Sequence, residues 1–208
     1  MSDWDRHYKE GGVSGDPSDY ARSIKQRQDI IRRYIGSVGN TVLDLGCGDL
    51  QFWDGYSLGS WYTGVDISET IIHHNQTQFP QANFKVNNIA DYQGEHVDVV
   101  LCADVLFHII DDLEYIAILK NISAHAKRRV IIKTWSANPL NTILSRLMRL
   151  KATGTFTLGE NTTDEYHQKY RAFEKYIPVM FDDFRWVSSD LGIYILEREE
   201  KTTSEECT

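Results

Sequence analysis

Along the chain, short apolar runs alternate with segments whose apolar residues recur every three or four positions. Thr41–Leu45, Trp61–Ile67, Asn83–Asn87, Val97–Cys102 and Val130–Thr134 read as buried strands. Between them, Ser68–Gln78 opens on an N-cap serine and stops before Pro80, and Asp112–Ala126 carries Leu113, Ile116, Leu119 and Ile122 at helical spacing. Upstream, the turn-rich stretch Gly11–Pro17 ends in Asp16-Pro17, an N-cap followed by a first-turn proline. Tyr20, Ile24, Ile31 and Ile35, widened by Ile30 and Tyr34, then predict a helix that Gly36 can close in the left-handed conformation. Strand and helix in alternation predict right-handed crossovers and a mostly parallel, doubly wound α/β sheet covered on both faces. The rhythm breaks near the end, where Phe184–Ser188 and Ile193–Leu196 flank a short turn containing Asp190, Leu191 and Gly192 and predict an antiparallel hairpin.

A chain of 208 residues without repeats or a central linker is expected to form one domain, here placed over 1–197, with 198–208 as a frayed polar tail. Within it, 1–36 forms an N-terminal lid and helix. The roughly forty residues Pro139–Ile177 exceed a simple crossover and predict a helical insert over 137–178, lying above the substrate site. Apolar residues make up 41% and charged residues 25%, and no run approaches the ~20 residues that span a bilayer. No membrane partner is expected. The start Met1-Ser2-Asp3-Trp4-Asp5-Arg6 is acidic where an export signal would be basic. Cys47, Cys102 and Cys207 are widely spaced with no CxxC pair, which fits reduced thiols in the cytoplasm and suggests neither a disulfide framework nor a zinc site. A net charge of -8 opposes a nucleic-acid partner, and the local cations Arg27, Arg32, Arg33 and Lys127–Arg129 read as solvated surface.

Candidate chemistry begins where the first strand meets the turn Asp44-Leu45-Gly46-Cys47-Gly48-Asp49. Glycines there let backbone approach a ligand more closely than any side chain permits. Gln51 occupies the third position of a would-be GxGxxG, and the Gly-Lys-Ser/Thr of a P-loop is absent, so a pyrophosphate is not the expected ligand. Asp44 can instead take the ammonium of an amino acid. Asp66, about 20 residues beyond the turn at the end of the second strand, can accept hydrogen bonds from ribose hydroxyls. After the third strand, the amide of Asn88 can read an adenine amino group and Ile89 can flank its ring. An ammonium, a ribose and an adenine without a pyrophosphate describe S-adenosylmethionine.

Val42–Gly48, Tyr62–Ser68 and Asp98–His108 resemble, in order and spacing, three motifs of class I S-adenosylmethionine-dependent methyltransferases. The resemblance covers about Thr41–Ser136 and, more loosely, the terminal hairpin. It implies a Rossmann-like seven-stranded sheet closed by an antiparallel strand. It also implies that Gly46, Cys47 and Gly48 contact the methionine moiety, Asp66 the ribose with Ile67 beside it, and Asn88 and Ile89 the adenine, while Cys102 and Ala103 line the cofactor. The chain departs from the family at Leu50, where a third glycine is frequent, and at Asn88, where an acid is usual. Leu50 predicts that the short helix after the turn packs differently. Tyr8–Gly15 also resembles the N-terminus of some bacterial and phage methyltransferases linked to small-molecule or glycan modification.

On the acceptor side, His108 suits a general base, because imidazole titrates near neutrality, or else an ordering residue that fixes its loop. Trp135 can face the acceptor or belong to the core. Tyr166 and Tyr170, with Phe173 at helical spacing, are substrate-wall candidates beside the plainer reading of packing. His73-His74 has no matching ligand elsewhere, so no metal is expected. Trp4 and Tyr8 either fold over the cofactor or cap the sheet. The expected activity is transfer of a methyl group to an oxygen or nitrogen of a small-molecule or glycan-like acceptor. The alternatives are a non-catalytic cofactor-binding module and a methyltransferase acting on protein or RNA.

Overall fold

A seven-stranded sheet in the order β3-β2-β1-β4-β5-β7-β6 organises the chain. The computed structural model describes residues 2–14, 20–35, 40–134, 171–190 and 192–199. β1 (Val42–Leu45), β2 (Tyr62–Asp66), β3 (Asn83–Val86), β4 (Val97–Ala103) and β5 (Ala126–Lys133) are parallel; β7 (Ile193–Arg198) pairs antiparallel with β5 and with β6 (Phe184–Asp190). This is the doubly wound α/β sheet with a C-terminal antiparallel hairpin that the sequence predicts. Because the chain winds outward from β1 through β2 to β3 and then returns to β4, the direction of winding reverses between β1 and β4. The carboxyl ends of those two strands therefore flank a crevice, the position at which open α/β sheets bind ligands.

Helices cover both faces. α4 (Asp112–His125) packs Tyr115, Ile118, Leu119 and Ile122 against Leu43, Leu45, Val100, Cys102 and Ile132, joined by Phe173 and by Ile177 of the four-residue α5 (Ile177–Met180). On the opposite face, Ile31 of α2 (Tyr20–Ile35) and Ile72 of α3 (Glu69–Gln78) meet Val42, Leu101 and Ile131, with Trp53 and Tyr62. β1 and β4 are thus covered on both sides, which is why their sequences are nearly continuous apolar runs rather than alternations. Each buried aliphatic or aromatic side chain contributes about 1.5–3 kcal/mol.

Four local features differ from the sequence reading. Leu113 is 78% exposed, and the buried stripe of α4 runs through Tyr115, Ile118, Leu119 and Ile122. Steps of three residues slip by about 60° each on a 3.6-residue turn, so Leu113 ends up opposite Ile122. β5 begins at Ala126, directly after α4, so Lys127–Arg129 lie within the strand; Arg129 is held there by Glu197 and by the Tyr34 carbonyl. β7 continues through Glu197 and Arg198, beyond the point where the apolar pattern stops, because Arg198 pairs with Asp183 and donates to the Ala126 and Ser123 carbonyls. The fourth is an N-terminal helix, α1 (Asp3–Lys9), whose position bears on the site.

Candidate functional site

The turn after β1 is shaped by two glycines in the left-handed region, Gly46 at φ 80° and Gly48 at φ 50°. A Cβ on Gly46 would lie 2.3 Å from Val105 Cγ2, and one on Gly48 would lie 2.6 Å from Ser14 Oγ and 2.9 Å from Tyr8 Oη. Both conformation and space therefore demand glycine. The Gly46 and Cys47 N–H groups donate to the Val65 carbonyl at 2.8 and 3.0 Å, and Gly48 N–H donates to Asp66 Oδ2 at 3.0 Å. Asn75, fully buried in α3, donates from Nδ2 to the Gly48 carbonyl at 2.8 Å. Cys47 turns its sulfur into the sheet, where burial raises the thiol far above its ordinary range, so only its backbone faces the crevice. Leu50 keeps a left-handed conformation, φ 61°, although its side chain is buried. It leads into a single 3-10 turn, Gln51–Trp53, in place of a longer helix.

Two carboxylates flank this turn. Asp44 Oδ2 accepts from Trp53 Nε1 at 2.7 Å and from the Tyr62 hydroxyl at 2.8 Å. Burial outweighs these donors and pushes the Asp44 carboxyl up to about 6. Asp66 accepts from Gly48 N–H on Oδ2 and from Ser68 N–H on Oδ1 at 2.9 Å. Burial raises it above the ordinary carboxylate value against the lowering effect of those backbone donors. Next to it, Ile67 is 44% exposed. Asn88 is half-buried, with Oδ1 accepting Ala90 N–H at 2.9 Å and Nδ2 donating to Glu114 at 3.3 Å, which leaves one lone pair on Oδ1. Ile89 departs from expectation: its side chain is packed in the α4-side core and its carbonyl accepts from Asn121. Among the described residues of this region, Ile67 and Val86, beside the ends of β2 and β3, are the exposed apolar ones.

α1 roofs the crevice. Ser2 Oγ caps it by accepting Asp5 N–H at 3.0 Å. Asp5 is buried and accepts on Oδ1 from Ser68 Oγ at 3.0 Å, Thr70 N–H at 3.0 Å and Thr70 Oγ1 at 2.7 Å. Trp4 lies edge-on to His108, ring centroids 4.8 Å apart. Tyr8 shares a 2.7 Å hydrogen bond with Ser14 Oγ, while Ser14 N–H donates to Asp49 at 2.9 Å. One short helix thus touches the loops that follow β1, β2 and β4, so Trp4 and Tyr8 fold over the crevice. The pattern Ser2-x-x-Asp5 was the signal in the sequence for this helix.

At the end of β4, Cys102 is fully buried and Ala103 nearly so. Asp104 then adopts a left-handed conformation, φ 60°, and pairs with Lys133 at the end of β5, whose side chain is only 4% exposed. Non-glycine residues in this region are strained by about 1–3 kcal/mol and concentrate at functional sites. His108 lies in the 3-10 turn Leu106–His108, and the following loop is gripped by Arg171. Its guanidinium donates to the Ile109 and Ile110 carbonyls at 2.6 and 2.8 Å and pairs with Asp112 at 2.8 Å over the Tyr115 ring. Neither Lys133 nor Arg171 was singled out by sequence pattern, since a cation that ends an apolar run, as Lys133 does, or stands in a polar stretch, as Arg171 does, looks like solvated surface. Trp135, Tyr166 and Tyr170 lie outside the described residues, as does most of the 137–178 insert. Phe173 is core, edge-on to Tyr194 at 4.7 Å. Among the described residues, no group of three or more His, Cys, Asp or Glu is arranged to hold a metal, and no helix is long and apolar enough to cross a membrane.

Residues 43–132, from β1 to the end of β5 and including the glycine turn, Asp66 and the β4 loop, match a family model described as a methyltransferase domain. This stretch is thus similar to a methyltransferase domain. Its fold is shared with solved structures of low sequence identity. Magnesium protoporphyrin IX methyltransferase from Synechocystis with bound S-adenosylhomocysteine aligns with TM-score 0.60 and 20% identity, covering 86% of this chain and 83% of that one. The 1,6-didemethyltoxoflavin-N1-methyltransferase of Burkholderia thailandensis, bound to 1,6-didemethyltoxoflavin and S-adenosylhomocysteine, gives 0.61 and 16%, covering 95% and 86%. The N-methyltransferase NodS of Bradyrhizobium japonicum gives 0.61 and 12%, covering 95% and 100%. No curated protein matches the chain in sequence. All three of these structures are described with bound S-adenosylhomocysteine.

Proposed function

We propose that this chain is a class I S-adenosylmethionine-dependent methyltransferase that modifies an oxygen or nitrogen of a small-molecule or glycan-like acceptor in the cytoplasm. The observation that carries this reading is the roofed crevice: α1 closes over the carboxyl ends of β1, β2 and β4 and narrows access to the donor. The Burkholderia and Synechocystis enzymes of the same fold are named for small acceptors, and the net charge of -8 disfavours a nucleic acid. In this reading, the backbone of Gly46, Cys47 and Gly48 cradles the methionine moiety and Asp44 attracts its ammonium. Asp66 accepts from the ribose hydroxyls after releasing a backbone donor. Ile67 and Asn88 border the adenine, and Cys102 and Ala103 form the floor below the sulfonium. His108 and the insert over 137–178, with Trp135, Tyr166 and Tyr170, face the acceptor. Displacement at the methyl carbon proceeds by alignment and exclusion of water, and His108 then takes the proton that the acceptor loses.

Calorimetric titration with S-adenosylhomocysteine tests the cofactor half of the assignment. Asp66→Ala is expected to weaken binding by ~1–3 kcal/mol, the effect of losing a buried hydrogen-bonded carboxylate; unchanged affinity removes Asp66 from the site. Tritium from methyl-labelled S-adenosylmethionine should enter products small enough to pass a dialysis membrane. Label found only in protein or RNA would overturn the acceptor class.

A further inference from the structure

Asp5 is a buried carboxylate on an N-terminal helix, far in sequence from every motif of the site, yet three donors from a single turn converge on one of its oxygens. Ser68 is the junction. Its N–H donates to Asp66 Oδ1, while its hydroxyl donates to Asp5 Oδ1 and accepts Ile71 N–H at 3.3 Å as the N-cap of α3. Thr70 adds its N–H and its hydroxyl to the same Asp5 oxygen, and Lys9 lies 3.0 Å from the other. The turn that presents Asp66 is therefore fixed from outside the sheet by α1. One helical turn further along, Tyr8 stands over Gly48, whose N–H bonds the second Asp66 oxygen.

Building on the assignment of Asp66 to the donor ribose, we propose that Asp5 is a positioning residue for S-adenosylmethionine: it pins α1 to the Ser68–Thr70 turn, so that docking of the N-terminal helix and binding of the cofactor are one linked equilibrium. Where binding occurs only when α1 is docked, the apparent Kd is the intrinsic value divided by the docked fraction. By reciprocity, the cofactor holds α1 in place.

Because all three inward donors use Oδ1, an amide oxygen can replace that carboxylate oxygen, whereas a methyl group cannot. Calorimetry with S-adenosylhomocysteine on the full chain should show Asp5→Ala binding at least tenfold more weakly than wild type and Asp5→Asn within about threefold, since the pin survives in the amide. Limited proteolysis supplies a second readout. S-adenosylhomocysteine should protect the N-terminal residues of the wild type and of Asp5→Asn but not those of Asp5→Ala. Thr70→Val removes one donor from the other side of the pin and should give an intermediate loss, which keeps the test open if Asp5→Ala folds poorly. Wild-type affinity in Asp5→Ala or in Thr70→Val, or an Asp5→Asn as weak as Asp5→Ala, overturns the pin while leaving the cofactor site standing. A wild type that does not bind S-adenosylhomocysteine overturns the site assignment itself, and the pin with it.

Discussion

Asp44 makes the pH dependence of cofactor binding calculable. Its carboxyl sits among Trp53, Tyr62 and the β1–β2 sheet, and burial lifts it from 3.8 to about 6. Because the folded value exceeds the unfolded one, the stability contributed by the protonated form is fully present below about pH 4 and is lost as pH rises through about 6. A shift of about two pH units corresponds to about 3 kcal/mol, which a cation placed beside the carboxylate offsets. If the methionine ammonium binds only the ionised form, the apparent Kd scales as one plus the ratio of protonated to ionised Asp44. That factor is about 1.1 at pH 7 and about 11 at pH 5, a tenfold loss equal to about 1.4 kcal/mol. The assay is calorimetry with S-adenosylhomocysteine, which carries the same ammonium, between pH 5 and 8. Asp44→Asn should bind weakly and lose this pH dependence, separating Asp44 from Asp66, whose carboxyl is also raised. Tyr62→Phe removes a donor to the carboxylate and should move the midpoint upward. An affinity flat between pH 5 and 8, or an identical slope in Asp44→Asn, would refute the assignment of the ammonium to Asp44.

Gly48→Ala should lower S-adenosylhomocysteine affinity more than tenfold, because the new methyl meets Ser14 and Tyr8 while the left-handed backbone adds about 1 kcal/mol of strain. Thermal melting should fall by only a few degrees, and unchanged affinity would mean that the turn does not cradle the cofactor. Arg171→Lys keeps the charge but not the forked geometry that spans Ile109, Ile110 and Asp112, so urea denaturation should show a loss of about 1–3 kcal/mol. Amide exchange should quicken through 105–112, the loop that carries His108; equal protection in both proteins would contradict a positioning role for Arg171.

The sheet and the glycine turn after β1 were legible in the sequence because both are written locally. A central parallel strand must be apolar on both faces, which marked β1 and β4. A strand running into closely spaced glycines marks a turn that backbone must approach, and Asp44 and Asp66 follow at strand ends a fixed distance apart. Tertiary structure decided what depends on partners distant in the chain. Ile89 fits an apolar flank by position, but the α4-side core claims it and leaves Ile67 exposed. Leu50 stands where a glycine is frequent, and the fold holds it in the left-handed region with its side chain buried. Asp5, Lys133 and Arg171 look like surface charge in one dimension. Each becomes part of the site only when folding removes it from water and supplies its partner, Ser68 and Thr70, Asp104, or the 109–112 loop. A pattern of residue types records which groups prefer water, whereas the identity of the partner that replaces water is a property of the assembled sheet and of the helix that closes over it.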